Sequence, residues 1–386
     1  MTTRILFVSS VSGIGGAELS LIELIEQLDS SHYRPLLYVE QSGPLVERLT
    51  SHGVPVVWGY FPFFRKRNPF AYWRAIMHMQ NTIRRRKIDL VQVNCDRAVP
   101  ISVTAARLAG VPCICYIHDF LRAWYLPDYV KHLNQAQCII ADSKAVAAHC
   151  VQAGMRQSLI RVIYESVETR RFVKQLPALH NDTRSDLGLR SDAVVIGIIG
   201  KVTENKGHEE LLRAFALASV QDSRLQLLVV GDTSMTGNPA FPAHLMETAK
   251  ELNILQHVIF VGFREDVPMI MSAIDVLAVP SHSEAFGRSA AEALASGIPV
   301  IASDTGGLSE VVQHNVTGLL VPPKTIEPLA EAILQLSTNH ELRHDMGRRG
   351  PASVAKFDVS NHAAEFMRLY ADLTGIKAGQ ITMTSL

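Results

Sequence analysis

The feature that most constrains the fold is an alternation of short β-branched runs with helix-like segments, which occurs twice along the chain. Strands that alternate with helical patterns predict βαβ units and therefore parallel sheets. The first series has strand candidates at residues 5–9, 35–40, 90–93, 111–117, 138–141 and 160–163. The second has them at residues 194–200, 225–231, 258–261, 276–280 and 299–302. The chain thus predicts two α/β domains, each with a doubly wound parallel sheet.

The length supports this division, because 386 residues exceed what one hydrophobic core usually organises. We expect a first Rossmann-like domain over residues 1–170, a polar and irregular linker over 171–192, and a second Rossmann-like domain over 193–355. An amphipathic helix within 356–374 is expected to pack back on the first domain, and 375–386 to form a disordered tail. Ligands of open parallel sheets bind at the carboxyl ends of the strands, so we expect the site there.

Charge and composition exclude several classes of protein. The 37 basic and 37 acidic residues balance, whereas a dedicated nucleic-acid binder normally has a basic excess. No apolar run approaches 18 residues and no cleavage signal follows the start, which predicts a cytoplasmic protein. The five cysteines all lie in the first half without zinc-site spacing, as expected for reduced core thiols.

The most informative motif is PSHSEAFGRSAAEALASGIPVIASDTGG at residues 280–307. It predicts a strand end, a loop that presents Glu284, and a helix that begins near Gly287 and carries Glu292. The first-turn amides of that helix, at residues 287–290, lack partners within the helix and can bind a diphosphate. A bare pair of glutamates eight residues apart is more often part of an ordinary surface helix, but the flanking glycines and Pro299 favour a ligand site.

This block resembles the retaining glycosyltransferases of family 4, whose motif is a Glu, seven residues and a second Glu. The similarity continues through Val311-Val312 and through TGLLVP at 317–322. It implies the GT-B fold, in which two Rossmann-like domains face a central cleft. Within the motif it implies that Glu284 contacts the sugar hydroxyls and Glu292 the ribose diol, with further donor contacts from Ala285, Phe286, Gly287 and Arg288.

A second motif, GKVTENKG at residues 200–207, follows the strand that opens the second domain. Cations here can neutralise the charge that develops on a leaving diphosphate. The family usually has Arg and Lys at these two positions, and this chain has Lys201 and Lys206. A lysine lacks the bidentate geometry of a guanidinium, which weakens the assignment at Lys201. Without the resemblance, two surface lysines would be interpreted as solvated side chains.

The first domain contributes a glycine loop, SGIGGAE at residues 12–18, and a histidine that follows CICYI. The dinucleotide fingerprint fails because Glu18 occupies the place of its third glycine. The resemblance implies that Gly15 and Gly16 lie beside the donor phosphate and acceptor and that His118 contacts the sugar. A tight turn and a structural histidine are the alternatives. In VIYESVE, at 162–168, Glu165-Ser166 replaces the family's usual Asn-Gly, which leaves the hinge geometry open.

Two further second-domain turns are candidates for the nucleotide pocket. VGFR at 261–264 ends a strand, and the resemblance implies that Phe263 and Arg264 touch the base. Phe263 is equally compatible with a place in the core. The turn at Gly231 is expected to line the same pocket.

A segment of the first domain combines basic and aromatic residues and contains no acidic residue from 49 to 88. This composition suits anionic lipid headgroups or a lipid-linked diphosphate acceptor, so residues 58–88 are a candidate for peripheral contact with the inner face of the membrane. Arg65, Lys66, Arg67 and Trp73 are the acceptor-side candidates. The alternative is a helix whose aromatic residues pack inward and whose arginines face water.

Together with these patterns, the resemblance implies transfer of a hexose from a UDP- or GDP-sugar to a hydroxyl of a glycan, lipid-linked or small-molecule acceptor. The resemblance implies retention of anomeric configuration, with His118, Lys206 and Glu284 as the principal catalytic residues. No Asp-x-Asp clamp follows a strand, so we expect neither a metal nor a cofactor. A nucleotide-sugar epimerase of the same fold and an inactive sugar-nucleotide-binding scaffold are the rival functions.

Overall fold

A computed structural model describes residues 2–62, 68–121, 126–172, 177–233 and 238–375, without the side chains of 126–127 and 177–181. The chain divides into two compact units. Unit 1 comprises residues 1–166 and 359–386, and unit 2 comprises residues 167–358. The expected tail, from residue 376 onward, lies outside the described residues.

Unit 1 is a doubly wound parallel sheet whose described strands run in the order β3-β2-β1-β4-β5-β6-β7. Its strands are β1 Thr3–Ser9, β2 Tyr33–Val39, β3 Val56–Trp58, β4 Leu90–Val93, β5 Cys113–Ile117, β6 Cys138–Ala141 and β7 Ile160–Val162. Its helices are α1 Gly16–Gln27, α2 Pro44–Ser51, α3 Pro69–Arg86, α4 Val99–Ala109, α5 Leu126–Leu133, α6 Lys144–Gln152 and α15 Val359–Thr374. The strand order reverses between β1 and β4.

Unit 2 repeats this design, with described strands in the order β10-β9-β8-β11-β12-β13. Its strands are β8 Val194–Ile199, β9 Leu225–Val230, β10 Val258–Gly262, β11 Val276–Val279, β12 Val300–Ser303 and β13 Gly318–Val321. Its helices are α7 Pro177–Asp186, α8 His208–Ser219, α9 Phe241–Glu251, α10 Val267–Ser272, α11 Arg288–Ala295, α12 Leu308–Val311, α13 Glu327–Thr338 and α14 His340–Val354. The order reverses between β8 and β11.

The segment expected to be an irregular linker carries a helix, α7, and lies within unit 2. Arg184 of this helix is buried and donates to the carbonyl oxygens of Ala273 and Ala193 and to Asp275 Oδ2, at 3.1, 3.0 and 2.6 Å. These bonds attach α7 to unit 2. The sequence of this helix is polar and begins with a proline, so it shows no helical periodicity. The described boundary therefore falls between residues 166 and 167, rather than in a linker over 171–192.

Helix α15 packs on unit 1, and this places residues 359–375 in that unit. Phe366 and Tyr370 are fully buried in the unit 1 core. The Tyr370 hydroxyl donates to Oε1 of Gln92, on β4, at 2.6 Å. Among the described helices, none is both long and apolar enough to cross a bilayer.

The reversal of strand order marks the place where each sheet offers room for a ligand. At such a switch point the loops that follow the two neighbouring strands diverge to opposite faces and leave a crevice outside their carboxyl ends. In unit 2 these are the loops after β8 and β11. Both of the strongest sequence motifs begin in these loops.

Candidate active site

The loops after β8 and β11 bring Lys206 and Glu284 into contact, although 78 residues separate them. Lys206 Nζ lies 2.7 Å from Glu284 Oε2, with the two side chains 31% and 15% exposed. Backbone bonds hold the loops together, since the amide of His282 donates to the carbonyl of Asn205 at 2.8 Å. The Asn205 side-chain amide also donates to the Ser283 carbonyl at 2.9 Å. The charged pair is therefore held by its loops.

Two further interactions support these loops and were missed by the sequence reasoning. The Ser281 hydroxyl donates to Glu284 Oε2 at 2.8 Å, so the same carboxylate oxygen is bound from two sides. The His282 ring lies 2.7 Å from Glu210, on α8. Ser281 and His282 belong to the motif at 280–307, but no sequence pattern indicated Glu210 on α8 as the partner of His282.

Helix α11 begins directly after the Glu284 loop, as the motif predicted. Its N-cap, Gly287, has φ of 101°, and a Cβ there would lie 2.5 Å from Leu308, so this sharp entry requires glycine. Arg288 and Glu292 approach to 3.6 Å on the first turns of the helix. The side chains of Ala285 and Phe286 are buried, so the donor contacts predicted for these two residues would be made by their backbone.

The turns after β8, β9 and β10 lie near one another in unit 2. A Cβ on Gly231 would lie 1.8 Å from the Gly200 carbonyl oxygen, so the backbones of the turns after β8 and β9 are in close contact. Phe263, after β10, is 64% exposed, which excludes the alternative that it belongs to the core. Arg264 is paired with Asp266 at 2.6 Å, and this guanidinium lowers the pKa of the Asp266 carboxyl. Lys201 is exposed.

His208 lies two residues after Lys206 and begins α8. Burial of its ring lowers the pKa of His208 from 6.5 to about 4, a backbone group of Thr203 partly opposes this shift, and the Lys206 charge adds to it. His208 is therefore neutral near pH 7 and adds no positive charge beside Lys206.

In unit 1, His118 follows β5 and is held by two neighbours. Its Nδ1 lies 3.1 Å from Glu165 Oε2, and its ring centroid lies 3.8 Å from that of Tyr116. The glycine loop begins α1, and the amide of Gly15 donates to the Glu18 carboxylate at 3.0 Å. Glu18, which stands where the dinucleotide fingerprint has glycine, thus caps its own helix.

The acceptor-side candidates are only partly described. Arg65, Lys66 and Arg67 lie outside the described residues. Trp73, Trp58 and Phe70 are 52%, 53% and 78% exposed. The alternative in which the aromatic residues pack inward is therefore wrong for these three. A cavity of about 440 Å³ lies beside them and is lined by Trp58, Gly59, Tyr60, Arg74, Met77, His78 and Asn81.

The sequence matches two family profiles in succession. Residues 14–171 match the profile described as Glycosyltransferase Family 4, and residues 180–353 match Glycosyl transferases group 1. The first covers most of unit 1 and the second most of unit 2.

Individual relatives agree with these profiles. The chain is 35% identical over 219 residues to the D-inositol 3-phosphate glycosyltransferase of Corynebacterium jeikeium, covering 55% of this chain and 52% of that protein. The chain thus spans about half the length of this relative. It is 30% identical to the 2-deoxystreptamine glucosyltransferase of Streptomyces kanamyceticus, covering 65% of this chain and 68% of the relative.

Among solved structures, Anabaena Alr3699/HepE in complex with UDP superposes with a TM-score of 0.87. It is 27% identical, and the match covers 96% of this chain and all of that one. The chain therefore belongs to the group 1, family 4 glycosyltransferases and has their GT-B fold.

Proposed function

We propose that this glycosyltransferase transfers a hexose, with retention of anomeric configuration and without a metal, from a UDP- or GDP-sugar to a hydroxyl acceptor. The observation that carries the proposal is the Lys206–Glu284 pair at the switch point of unit 2. Anabaena Alr3699/HepE has been solved with UDP-glucose as well as with UDP. UDP-glucose is therefore the first donor to test.

The two charges of this pair suit different parts of one donor. Lys206 is proposed to bind the diphosphate and Glu284 the sugar hydroxyls, and without donor the two side chains neutralise each other. The first-turn amides of α11 add positive potential beside the diphosphate. Glu292 is proposed to bind the ribose diol, while Phe263, Arg264 and Gly231 line the base pocket. From unit 1, Gly15, Gly16 and His118 are proposed to complete the donor contacts.

The proposed reaction is a front-face displacement. The acceptor oxygen attacks the anomeric carbon on the side from which the diphosphate departs, and a departing phosphate oxygen takes the acceptor proton. The negative charge that accumulates on the leaving group is stabilised by Lys206, by the α11 amides and by the exposed Lys201. These groups replace a divalent cation, so turnover should be unchanged by EDTA, and an NMR spectrum of the product should show the donor's anomeric configuration.

The acceptor is proposed to be a polyhydroxylated molecule, either a small molecule, a glycan or the head of a lipid-linked sugar. Relatives carry names that refer to D-inositol 3-phosphate and 2-deoxystreptamine, both of which are ring polyols or amino-polyols. The exposed Trp58, Phe70 and Trp73, on a segment without acidic residues, support peripheral contact with anionic lipid. Flotation with phosphatidylglycerol vesicles, compared with phosphatidylcholine vesicles, tests this contact.

A donor panel with matched variants tests the proposed function. Thermal stabilisation by UDP- and GDP-sugars identifies the donor, since a ligand at 100 times its Kd adds roughly 2.7 kcal/mol. Lys206→Gln should lower turnover on the order of 10²-fold, whereas Lys250→Gln, which removes an exposed lysine paired with Glu247, should not. Donor conversion without any acceptor would indicate the rival epimerase, and binding without transfer would indicate a scaffold.

A further inference from the structure

The segment that leaves unit 1 after β7 carries two polar side chains that have partners within the unit. They are Glu165 and Ser166, at the positions where the family resemblance implies an Asn-Gly pair. Glu165 Oε2 lies 3.1 Å from Nδ1 of His118. The Ser166 hydroxyl donates to the carboxylate of Glu23, on α1, at 2.7 Å. Both side chains therefore make a specific contact within unit 1.

The backbone of this segment is held firmly enough to orient Glu165. The Glu165 amide donates to the Asp142 carbonyl at 3.2 Å. One residue earlier, the Tyr164 carbonyl lies 2.7 Å from Nδ1 of His362, on α15. Glu165 itself is 4% exposed, so its carboxylate is held inside the unit beside the imidazole.

A carboxylate at this position selects one form of the imidazole. An ionised carboxylate only accepts hydrogen bonds, so the nitrogen facing it must carry the proton. Neutral His118 is therefore protonated at Nδ1, which leaves Nε2 as an acceptor. Nε2 is buried and has no hydrogen-bond partner among the described residues. An asparagine at position 165 would not make this selection, because an amide can both donate and accept.

We propose that Glu165 is a positioning residue that holds His118 with its proton on Nδ1, so that Nε2 is the nitrogen that accepts a hydrogen bond from a hydroxyl of the donor sugar. The sugar contact rests on the proposed function, whereas the protonation of Nδ1 does not. Four other titratable groups lie near this ring in space or in sequence. A carboxylate oxygen of Asp142 lies within 4.8 Å of the facing atoms of His118 and Glu165, and the Tyr116 ring lies 3.8 Å from that of His118. Asp119 is the next residue in the chain, and the His362 ring centroid lies 6.1 Å from that of Tyr116.

Nitrogen-15 NMR of histidine-labelled protein tests the protonation directly. The His118 signals are assigned by their loss in His118→Gln. In the parent protein at a pH where the ring is neutral, the spectrum should show the proton on Nδ1. Glu165→Gln should lose this preference, whereas Glu23→Gln, which removes the buried carboxylate on α1 that accepts from Ser166, should keep it. Retention of the Nδ1 proton in Glu165→Gln, or a proton on Nε2 in the parent protein, would overturn the proposal.

The role in donor binding is tested by comparing Kd values for UDP-glucose and UDP. Glu165→Gln should weaken UDP-glucose binding by about three- to tenfold, the loss of roughly one ordinary hydrogen bond, and should leave UDP binding unchanged because UDP lacks the sugar. Equal loss for both ligands, or no loss for either, would contradict the positioning role. If His118→Gln also leaves UDP-glucose binding unchanged, the assignment of His118 to the sugar fails instead, and the NMR result still decides the role of Glu165.

Discussion

Replacement of His208 should make the stability of unit 2 less sensitive to acid. The folded unit holds the pKa of this buried histidine at about 4, against 6.5 for an exposed one. Since each pKa unit corresponds to about 1.36 kcal/mol, the difference is worth about 3 kcal/mol. The unfolded chain takes up the proton first, so this stability is complete above pH 6.5 and is lost as the pH falls towards 4. By pH 5, about 2 kcal/mol of it should be gone.

Urea unfolding at several pH values measures this loss. Trp58, Trp73 and Trp124 all precede residue 167, so tryptophan fluorescence reports on unit 1, whereas circular dichroism reports on both units. Between pH 7.5 and 5, the free energy of unfolding should fall by about 2 kcal/mol less in His208→Gln than in the parent protein. The relevant transition is the one seen by circular dichroism and not by tryptophan fluorescence. His340→Gln, which removes an exposed histidine from the same unit, serves as the control. Parallel pH profiles for His208→Gln and the parent would refute the reasoning.

Three further changes have expected outcomes. Arg184→Met should destabilise unit 2 by roughly 3–5 kcal/mol in urea unfolding, because Asp275 loses its buried partner, and a loss below 1 kcal/mol would contradict this. Tyr370→Phe should cost unit 1 roughly 1–3 kcal/mol by tryptophan fluorescence, since Gln92 loses a buried donor; an unchanged transition would show that the bond contributes nothing. Phe263→Ala should raise the donor KM at least about fivefold, as expected for loss of base stacking, while stability stays within about 0.5 kcal/mol; an unchanged KM would remove it from the base pocket.

The alternating pattern predicted most of the fold, and its omissions have physical causes. Strand β3, Val56–Trp58, has two partly buried residues followed by an exposed one and therefore shows no clear alternation. Strand β13, Gly318–Val321, opens on a glycine and is only four residues long. Helix α7 is held by tertiary bonds through Arg184, which a local sequence pattern does not reveal. Short elements that rely on neighbours leave little signal in their own residues.

The candidate site was predictable in its position but less so in its contacts. Lys206 and Glu284 could each be placed after a strand of one sheet, and the resemblance to family 4 supplied their roles. Their direct contact depends on the conformation of two loops that sequence patterns do not specify. Glu165 was visible only as a departure from a usual Asn-Gly, because its partner His118 lies 47 residues away. Side-chain exposure decided between the two interpretations of Phe263.

The central claim is that the loops after β8 and β11 bind a sugar nucleotide through Lys206 on the diphosphate and Glu284 on the sugar. Calorimetric titration of UDP and UDP-glucose into the parent protein, Lys206→Gln and Glu284→Gln tests it most directly. Lys206→Gln should weaken both ligands, whereas Glu284→Gln should weaken UDP-glucose and spare UDP. Affinities for both ligands that match the parent protein in both variants would contradict the claim.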